Sequence, residues 1–181
     1  MSTSRFGLLA IGAMLVLGFD APAPQAAKAA GPQLGRPVST ARLATLDFTI
    51  EPDGTGLPRG RGGAREGAAI YEQNCEACHG ARGAEPAEGI PRLTGGVGSL
   101  ASRKPIRTVA SYWPHAPGLF DYIRRAMPPD RPGALSADET YAVTAYLLSI
   151  DGVVPSDATL DARALSKVRM PNANGFVDAE R

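Results

Sequence analysis

The feature that most constrains this chain is the five-residue segment Cys75-Glu76-Ala77-Cys78-His79. It holds both cysteines of the 181-residue sequence and one of its two histidines. Two thiols three residues apart lie on the same side of a helical turn, and a histidine directly after the second thiol completes the C-x-x-C-H arrangement of c-type haem attachment. The sequence therefore predicts one covalent haem c, held by thioether bonds from Cys75 and Cys78, with His79 as an axial iron ligand.

Two other uses of the cysteines fit the surrounding sequence less well. A thioredoxin-like redox pair follows a strand in a β-α-β pattern, whereas Cys75 is preceded by glycines at 60–63 and then by a helical stretch. A zinc site needs four ligands at compact spacing. The only other histidine, His115, is far downstream and has no H-x-x-x-H companion. Haem attachment remains the favoured interpretation.

The N-terminal residues have the features of an export signal. A short basic start ends at Arg5, an uninterrupted apolar run over residues 6–19 follows, and small residues come next, including the possible cleavage site Ala27-Lys28-Ala29. The apolar run is too short to span a bilayer as a helix. We predict a signal peptide at 1–29, export to the periplasm and no stable membrane span after cleavage, with an uncleaved anchor as the alternative.

The composition excludes other classes of function. The formal net charge is +1 with 20% charged residues, so no strong basic field predicts binding to nucleic acid. Glycine and proline number 21 and 16, which indicates a loop-rich chain, yet 44% of the residues are apolar or aromatic and can build a core.

Two segments with helical patterns enclose the central part of the sequence. Residues 65–74 carry apolar side chains at helical spacing and lead directly into the motif. The second helix begins with a capping box, because Ser136 is followed three residues later by Glu139; it runs to Ile150 and stops at Gly152. This pattern indicates an all-α domain.

Met127 is the predicted second axial ligand. It ends a third helix over residues 119–126, because the residue before Pro128 is disfavoured in helical backbone. A thioether opposite histidine is an axial pair of many electron-transfer haems. Met170 also precedes a proline and stays an alternative, but it follows both bracketing helices, whereas Met127 lies between them.

Four further residues are candidates for the surroundings of the haem. His115 would give a bis-histidine pair, although an exposed residue at the haem edge is the simpler interpretation. The Pro91 carbonyl follows His79 at a distance suited to accepting the histidine N–H. Arg124 and Arg125 would pair with the haem propionates or form a solvated helix face.

The pattern as a whole resembles the class I cytochrome c fold over about residues 65–152. A narrower similarity is to the cytochrome subunits of bacterial sulfite and sulfane dehydrogenases of the sulfur-oxidation system. It is carried by DGTGLP at 53–58, YWP at 112–114, FDYIRRAMP at 120–128 and VRMPN at 168–172. Some members of this family have two haem motifs, whereas this chain has one.

The resemblance implies a fold, a domain division and a function. The fold is an all-α class I cytochrome c fold, with three to five helices around one covalently bound haem. A cytochrome c domain at 65–152 is flanked by loop-rich extensions at 30–64 and 153–181. The implied function is outer-sphere electron transfer in the periplasm, from a molybdenum-cofactor sulfite or sulfane dehydrogenase subunit to a downstream cytochrome or other acceptor.

The site residues implied by the resemblance match those derived from the motif. Cys75 and Cys78 hold the haem, His79 is the proximal ligand and Met127 is the distal one. The alternative is a haem enzyme or small-ligand sensor, which would need an open distal position. We expect the electron-transfer subunit of a dehydrogenase rather than a catalyst acting alone.

Overall fold

The structure is a computed structural model that describes residues 35–44 and 46–177. The predicted signal peptide at 1–29 therefore lies outside the described residues. The chain divides between Val38 and Ser39, and the described residues from Ser39 onward belong to one unit. No helix among the described residues combines the length and apolar character needed to cross a bilayer.

The described part of this unit holds seven α-helices and one two-stranded sheet. In chain order the elements are α1 (Thr40–Ala44), β1 (Arg61–Gly63), α2 (Ala64–Asn74), α3 (Glu76–His79), α4 (Val109–Tyr112), α5 (Ala116–Ala126), α6 (Ala137–Ile150), β2 (Thr159–Asp161) and α7 (Ala162–Leu165). The three long helices, α2, α5 and α6, are those predicted from the sequence, and the mainly helical fold is confirmed. The small sheet was not predicted.

Helix α6 has more buried residues than any other described helix. Its N-terminus has the predicted capping box: the Ser136 hydroxyl accepts the Glu139 N–H at 3.3 Å, and the Glu139 carboxylate accepts the Ser136 N–H at 2.8 Å. Thr140 and Thr144 are buried in the helix, where each hydroxyl donates to the carbonyl four residues earlier, at 2.8 and 2.7 Å. These bonds satisfy the buried hydroxyls, so α6 can be covered on nearly all sides.

Residues before α2 and residues after α6 both contact this helix core. On the N-terminal side, the Tyr141 hydroxyl donates to the Pro58 carbonyl at 2.9 Å. On the C-terminal side, β2 pairs antiparallel with β1, with Gly62 opposite Leu160. Leu160, Leu165 and Met170 are buried in the hydrophobic core. The segment after α6 therefore contributes to the core.

Candidate haem site

One turn of helix presents the three chemically distinctive side chains of the motif. Cys75 ends α2 and begins α3, and its carbonyl accepts the N–H groups of Cys78 and His79 at 3.1 and 2.9 Å. The two cysteines form no disulfide; Cys75 is partly buried and Cys78 is exposed. Burial, helped by the neighbouring Cys78, raises the pKa of the Cys75 thiol to about 11. Both sulfur atoms are thus held on one short turn.

A glycine and a tyrosine fix the end of this turn. Gly80 ends α3 with a φ of 73°, a left-handed conformation that favours glycine. A Cβ on Gly80 would also overlap the Glu85 carbonyl. The Tyr71 hydroxyl donates to the Gly80 carbonyl at 3.0 Å, and burial raises the pKa of Tyr71 well above its ordinary value. The turn that carries His79 is therefore anchored to the core.

A largely apolar cavity of about 810 Å³ lies beside the motif. Both cysteines, His79 and Met127 line it. The rest of the wall is mainly aliphatic and aromatic, and includes Tyr71, Ile90, Leu93, Val109, Tyr112, Trp113, Leu119, Tyr122, Ile123, Val143 and Leu147. A c-type haem needs two thiols, axial N or S ligands and an apolar pocket. The residues present fit that group.

His79 has the predicted hydrogen-bond partner. Nδ1 of His79 lies 3.3 Å from the Pro91 carbonyl oxygen, which confirms the expected contact. When Nδ1 donates to this carbonyl, Nε2 keeps its lone pair and can bind a metal. The loop that carries Pro91 is itself fixed, because the Leu93 N–H donates to the Gly83 carbonyl at 2.8 Å.

Of the three residues considered for the second axial position, Met127 is the one on the cavity wall. It follows α5 in extended conformation (φ −122°, ψ 140°), as expected before Pro128, and is partly buried. Met170 is only 4% exposed and packs in the hydrophobic core. His115 is exposed and occupies the N-cap position of α5, where its side chain makes no capping hydrogen bond. Neither Met170 nor His115 is among the lining residues.

The arginines that line the cavity are not the two that were predicted from the sequence as partners of the haem propionates. Arg125 pairs with Asp121, and the Arg124 guanidinium lies 6.0 Å from the centre of the Phe48 ring. Neither lines the cavity, so the predicted pairing of these two side chains with propionates finds no support in the geometry. The arginines on its wall are Arg92, Arg107 and Arg131.

Comparison with known proteins identifies the family. Residues 62–147 match the family described as cytochrome C oxidase, cbb3-type, subunit III. The chain is also similar to a chain of the crystal structure of the sulfane dehydrogenase SoxCD from Paracoccus pantotrophus. The two are 39% identical with a TM-score of 0.76, over 83% of this chain and 73% of that chain. The protein is a c-type cytochrome. No curated protein matches its sequence significantly.

The family assignment gives the general function of the cytochrome and its cofactor. It establishes an electron-transfer protein of the class I cytochrome c fold and implies covalently bound haem c. The resemblance to sulfane dehydrogenase cytochromes noted from sequence segments is confirmed by the match to SoxCD. Three of those segments meet in the cytochrome structure. Tyr112, Trp113, Tyr122 and Met127 line the cavity, and Asn172 donates to the Tyr112 carbonyl at 2.7 Å.

Proposed function

We propose that this cytochrome binds one haem c through thioether bonds from Cys75 and Cys78, with His79 and Met127 as the axial iron ligands. The proposal is supported by the placement of all four side chains on one cavity. When bound, the haem supplies a one-electron couple between ferric and ferrous iron.

The protein's own part in this function is to hold the ligands still and exclude water. The Pro91 carbonyl orients the His79 ring through Nδ1, at 3.3 Å. The Met127 backbone is fixed by its N–H, which donates to the Ile123 carbonyl at 3.0 Å. Buried aliphatic side chains from α4, α5 and α6 cover the interior wall, and these are Val109, Leu119, Ile123, Val143 and Leu147. Fixed ligands in a dry pocket change little between the two charge states, which favours fast electron transfer.

We further propose that the cytochrome works in the periplasm and receives electrons from a molybdenum-cofactor subunit of a sulfite or sulfane dehydrogenase. It would pass them to a downstream cytochrome or other acceptor. The observation that carries this proposal is the 39% identity with a SoxCD chain over most of both chains. The predicted signal peptide supports the location.

An aromatic edge of the cavity offers a route to such a partner. Trp113 and Tyr122 meet edge to face, with ring centres 5.7 Å apart. Tyr112 and Tyr122 are 37% and 47% exposed, so the same residues that line the cavity also reach the surface. Outer-sphere transfer needs this kind of close approach between the cofactor edge and the partner, and involves no bond to the substrate.

The partner is tested by following haem reduction optically in the purified holocytochrome. We expect sulfite, or a sulfane-sulfur substrate, to reduce it slowly alone and much faster when a molybdenum-cofactor dehydrogenase subunit is added. Chemical reduction by dithionite serves as the control for an intact haem. No acceleration by the subunit would overturn the partner assignment.

The attachment is tested separately by intact mass. Wild-type protein should carry the mass of one haem after denaturation, and the double variant C75S/C78S, which has no thiol left for a thioether bond, should carry none. A wild-type mass without covalent haem would overturn the proposed site.

Secretion is tested by cell fractionation. We expect to recover a shortened chain from the periplasm, and recovery of the full-length chain from the cytoplasm would contradict the proposed location.

A further inference from the structure

Two arginines on the cavity wall carry charges that no carboxylate of the described residues neutralises. Arg92 and Arg107 both line the cavity, and neither takes part in a salt bridge among the described residues. Arg131 lines the same cavity but is engaged: it donates to the Asn74 side-chain oxygen at 3.2 Å and lies 3.4 Å from the Asp130 carboxylate. Arg131 therefore already has polar partners, whereas the charges of Arg92 and Arg107 are available to an anionic ligand.

The chain around Arg92 and Arg107 contains no acid. Residues 89–120 include four basic side chains from Lys and Arg and no Asp or Glu. Asp130 is the one acidic residue on the cavity wall in the described part of the chain, and it faces Arg131. An anionic group that enters the cavity beside Arg92 and Arg107 thus meets unneutralised cations.

Arg107 is held in place by an aromatic stack. Its guanidinium carbon lies 5.5 Å from the centre of the Tyr112 ring, a cation–π distance. Tyr112 is held in turn by the C-terminal segment, because Asn172 donates to its carbonyl at 2.7 Å and the Phe176 ring meets it edge-on at 5.2 Å. Arg107 is thus oriented on the cavity rim rather than extended freely into solvent.

The Arg92 guanidinium lies beside Gly95, in the loop that precedes Arg107. A Cβ built on Gly95 would lie 4.0 Å from the Arg92 guanidinium carbon. The Gly95 carbonyl accepts the Thr108 hydroxyl at 2.5 Å, and Thr108 follows Arg107 and lines the same cavity. The Asp151 carboxylate accepts the Gly95 N–H with both oxygens, at 2.8 and 2.9 Å, and forms no ion pair with Arg92.

We propose that Arg92 and Arg107 form the carboxylate-binding edge of the haem site and hold the haem propionates. The planar guanidinium group matches a carboxylate through two parallel hydrogen bonds, which are stronger than neutral ones. The assignment rests on the proposed haem attachment, but it does not depend on the identity of the redox partner. It replaces Arg124 and Arg125 as the propionate partners.

The test compares R92Q, R107Q and the double variant as holoproteins. Reduction potentials are measured by spectroelectrochemistry with small mediators, and the propionate-bending bands are recorded by resonance Raman. A nearby cation favours the electron-rich form, so both single variants should have lower potentials than wild type and the double variant the lowest. The Raman bands should shift in the same variants.

R103Q is the matched control: Arg103 is exposed, as Arg92 and Arg107 are, and belongs to the same loop as Arg107, but it does not line the cavity. Because its charge is screened by solvent and is not on the cavity wall, its loss should leave the potential nearly unchanged. If R92Q and R107Q shift the potential no more than R103Q and leave the Raman bands unchanged, these residues are solvated surface arginines and the proposal is overturned.

A charge-conserving variant keeps the test decisive if R107Q folds poorly. R107K should preserve most of the potential and still shift the Raman bands, because lysine cannot form the two parallel hydrogen bonds. Bands identical to wild type in R107K would contradict the pairing. A wild-type protein without covalent haem would overturn both the site and this assignment, whereas unchanged potentials in haem-loaded variants would overturn the assignment alone.

Discussion

Gly67 of α2 faces the backbone carbonyl of Ala142 in α6 so closely that a Cβ on Gly67 would overlap it. One turn further along, the rings of Tyr71 and Tyr146 meet with centres 5.3 Å apart. Helix α2 leads into the cysteine motif, and α6 supplies part of the cavity wall. The backbone contact at Gly67 therefore sets the distance between the motif and the opposite wall.

The first prediction concerns this contact. G67A should lower the free energy of unfolding by about 1–3 kcal/mol, because the obstacle is backbone, which cannot rotate away. The measurement is urea unfolding of the holoprotein followed by circular dichroism. G118A is the control: Gly118 is also helical, but a Cβ there would meet only the Trp113 ring, at 3.8 Å. It should be neutral or stabilising by up to about 1 kcal/mol, and equal losses in both variants would contradict the argument.

The second prediction separates the two methionines. M127L should abolish the weak near-infrared sulfur-to-iron charge-transfer band of the oxidised protein and allow carbon monoxide to bind the reduced form. M170L should keep the band, since it changes a core residue that is absent from the cavity wall, and a volume-conserving swap costs less than about 1.5 kcal/mol. The opposite pattern would identify Met170 as the ligand. Ready carbon monoxide binding by wild type would favour the sensor or enzyme function.

The third prediction concerns the anchor of the motif turn. Y71F removes the hydroxyl that donates to the Gly80 carbonyl at 3.0 Å, and should lower the free energy of unfolding by about 0.5–1.5 kcal/mol. Y146F is the matched control, because Tyr146 belongs to the same ring pair and its hydroxyl has no hydrogen bond in the described part of the chain. Thermal unfolding of both variants measures the difference, and a loss as large in Y146F would show that the hydrogen bond is not the cause.

The fourth prediction concerns acid stability. The Ser136 hydroxyl and backbone N–H hold the pKa of Glu139 below its ordinary value of 4.5. A carboxyl whose folded pKa is depressed contributes stability that is complete above the unfolded value and is lost as the pH falls through the folded value.

Wild type should therefore lose more stability than E139Q when the pH is lowered from about 6 to about 3. The measurement is the unfolding free energy across that range. D157N serves as the control, because Asp157 has no hydrogen bond or ion pair in the described residues and the variant should follow the wild-type curve. Parallel curves for wild type and E139Q would remove the capping carboxylate as a cause of acid sensitivity.

Features set by neighbouring residues were predictable from the sequence, and those set by distant contacts were not. The capping box depends on Ser136 and Glu139 alone, and the extended backbone of Met127 follows from Pro128. By contrast, Met127 and Met170 share the same local signal, because each precedes a proline. Only tertiary packing places one on the cavity and the other in the core.

The sheet and the cavity arginines illustrate the same limit. β1 and β2 have three residues each, which is too short for either strand to show a periodic pattern of its own. They pair although helices α2 to α6 lie between them in the sequence. Arg124 and Arg125 are adjacent in the sequence, which led to their prediction as propionate partners, whereas Arg92 and Arg107 are separated along the chain. Their signal was the acid-free stretch at 89–120, which gains meaning only once the loop is seen to line the cavity.

The pairing of Gly62 with Leu160 also bears on the order in which the chain becomes structured. Leu160, Leu165 and Met170 complete the core, and all three are synthesised long after the two cysteines. Native packing around β1 and α6 must wait for them, because long-range contacts form only when both partners are present. The thiols of Cys75 and Cys78 therefore lie in a chain without its completed core while the roughly 80 residues between Cys78 and Leu160 are synthesised.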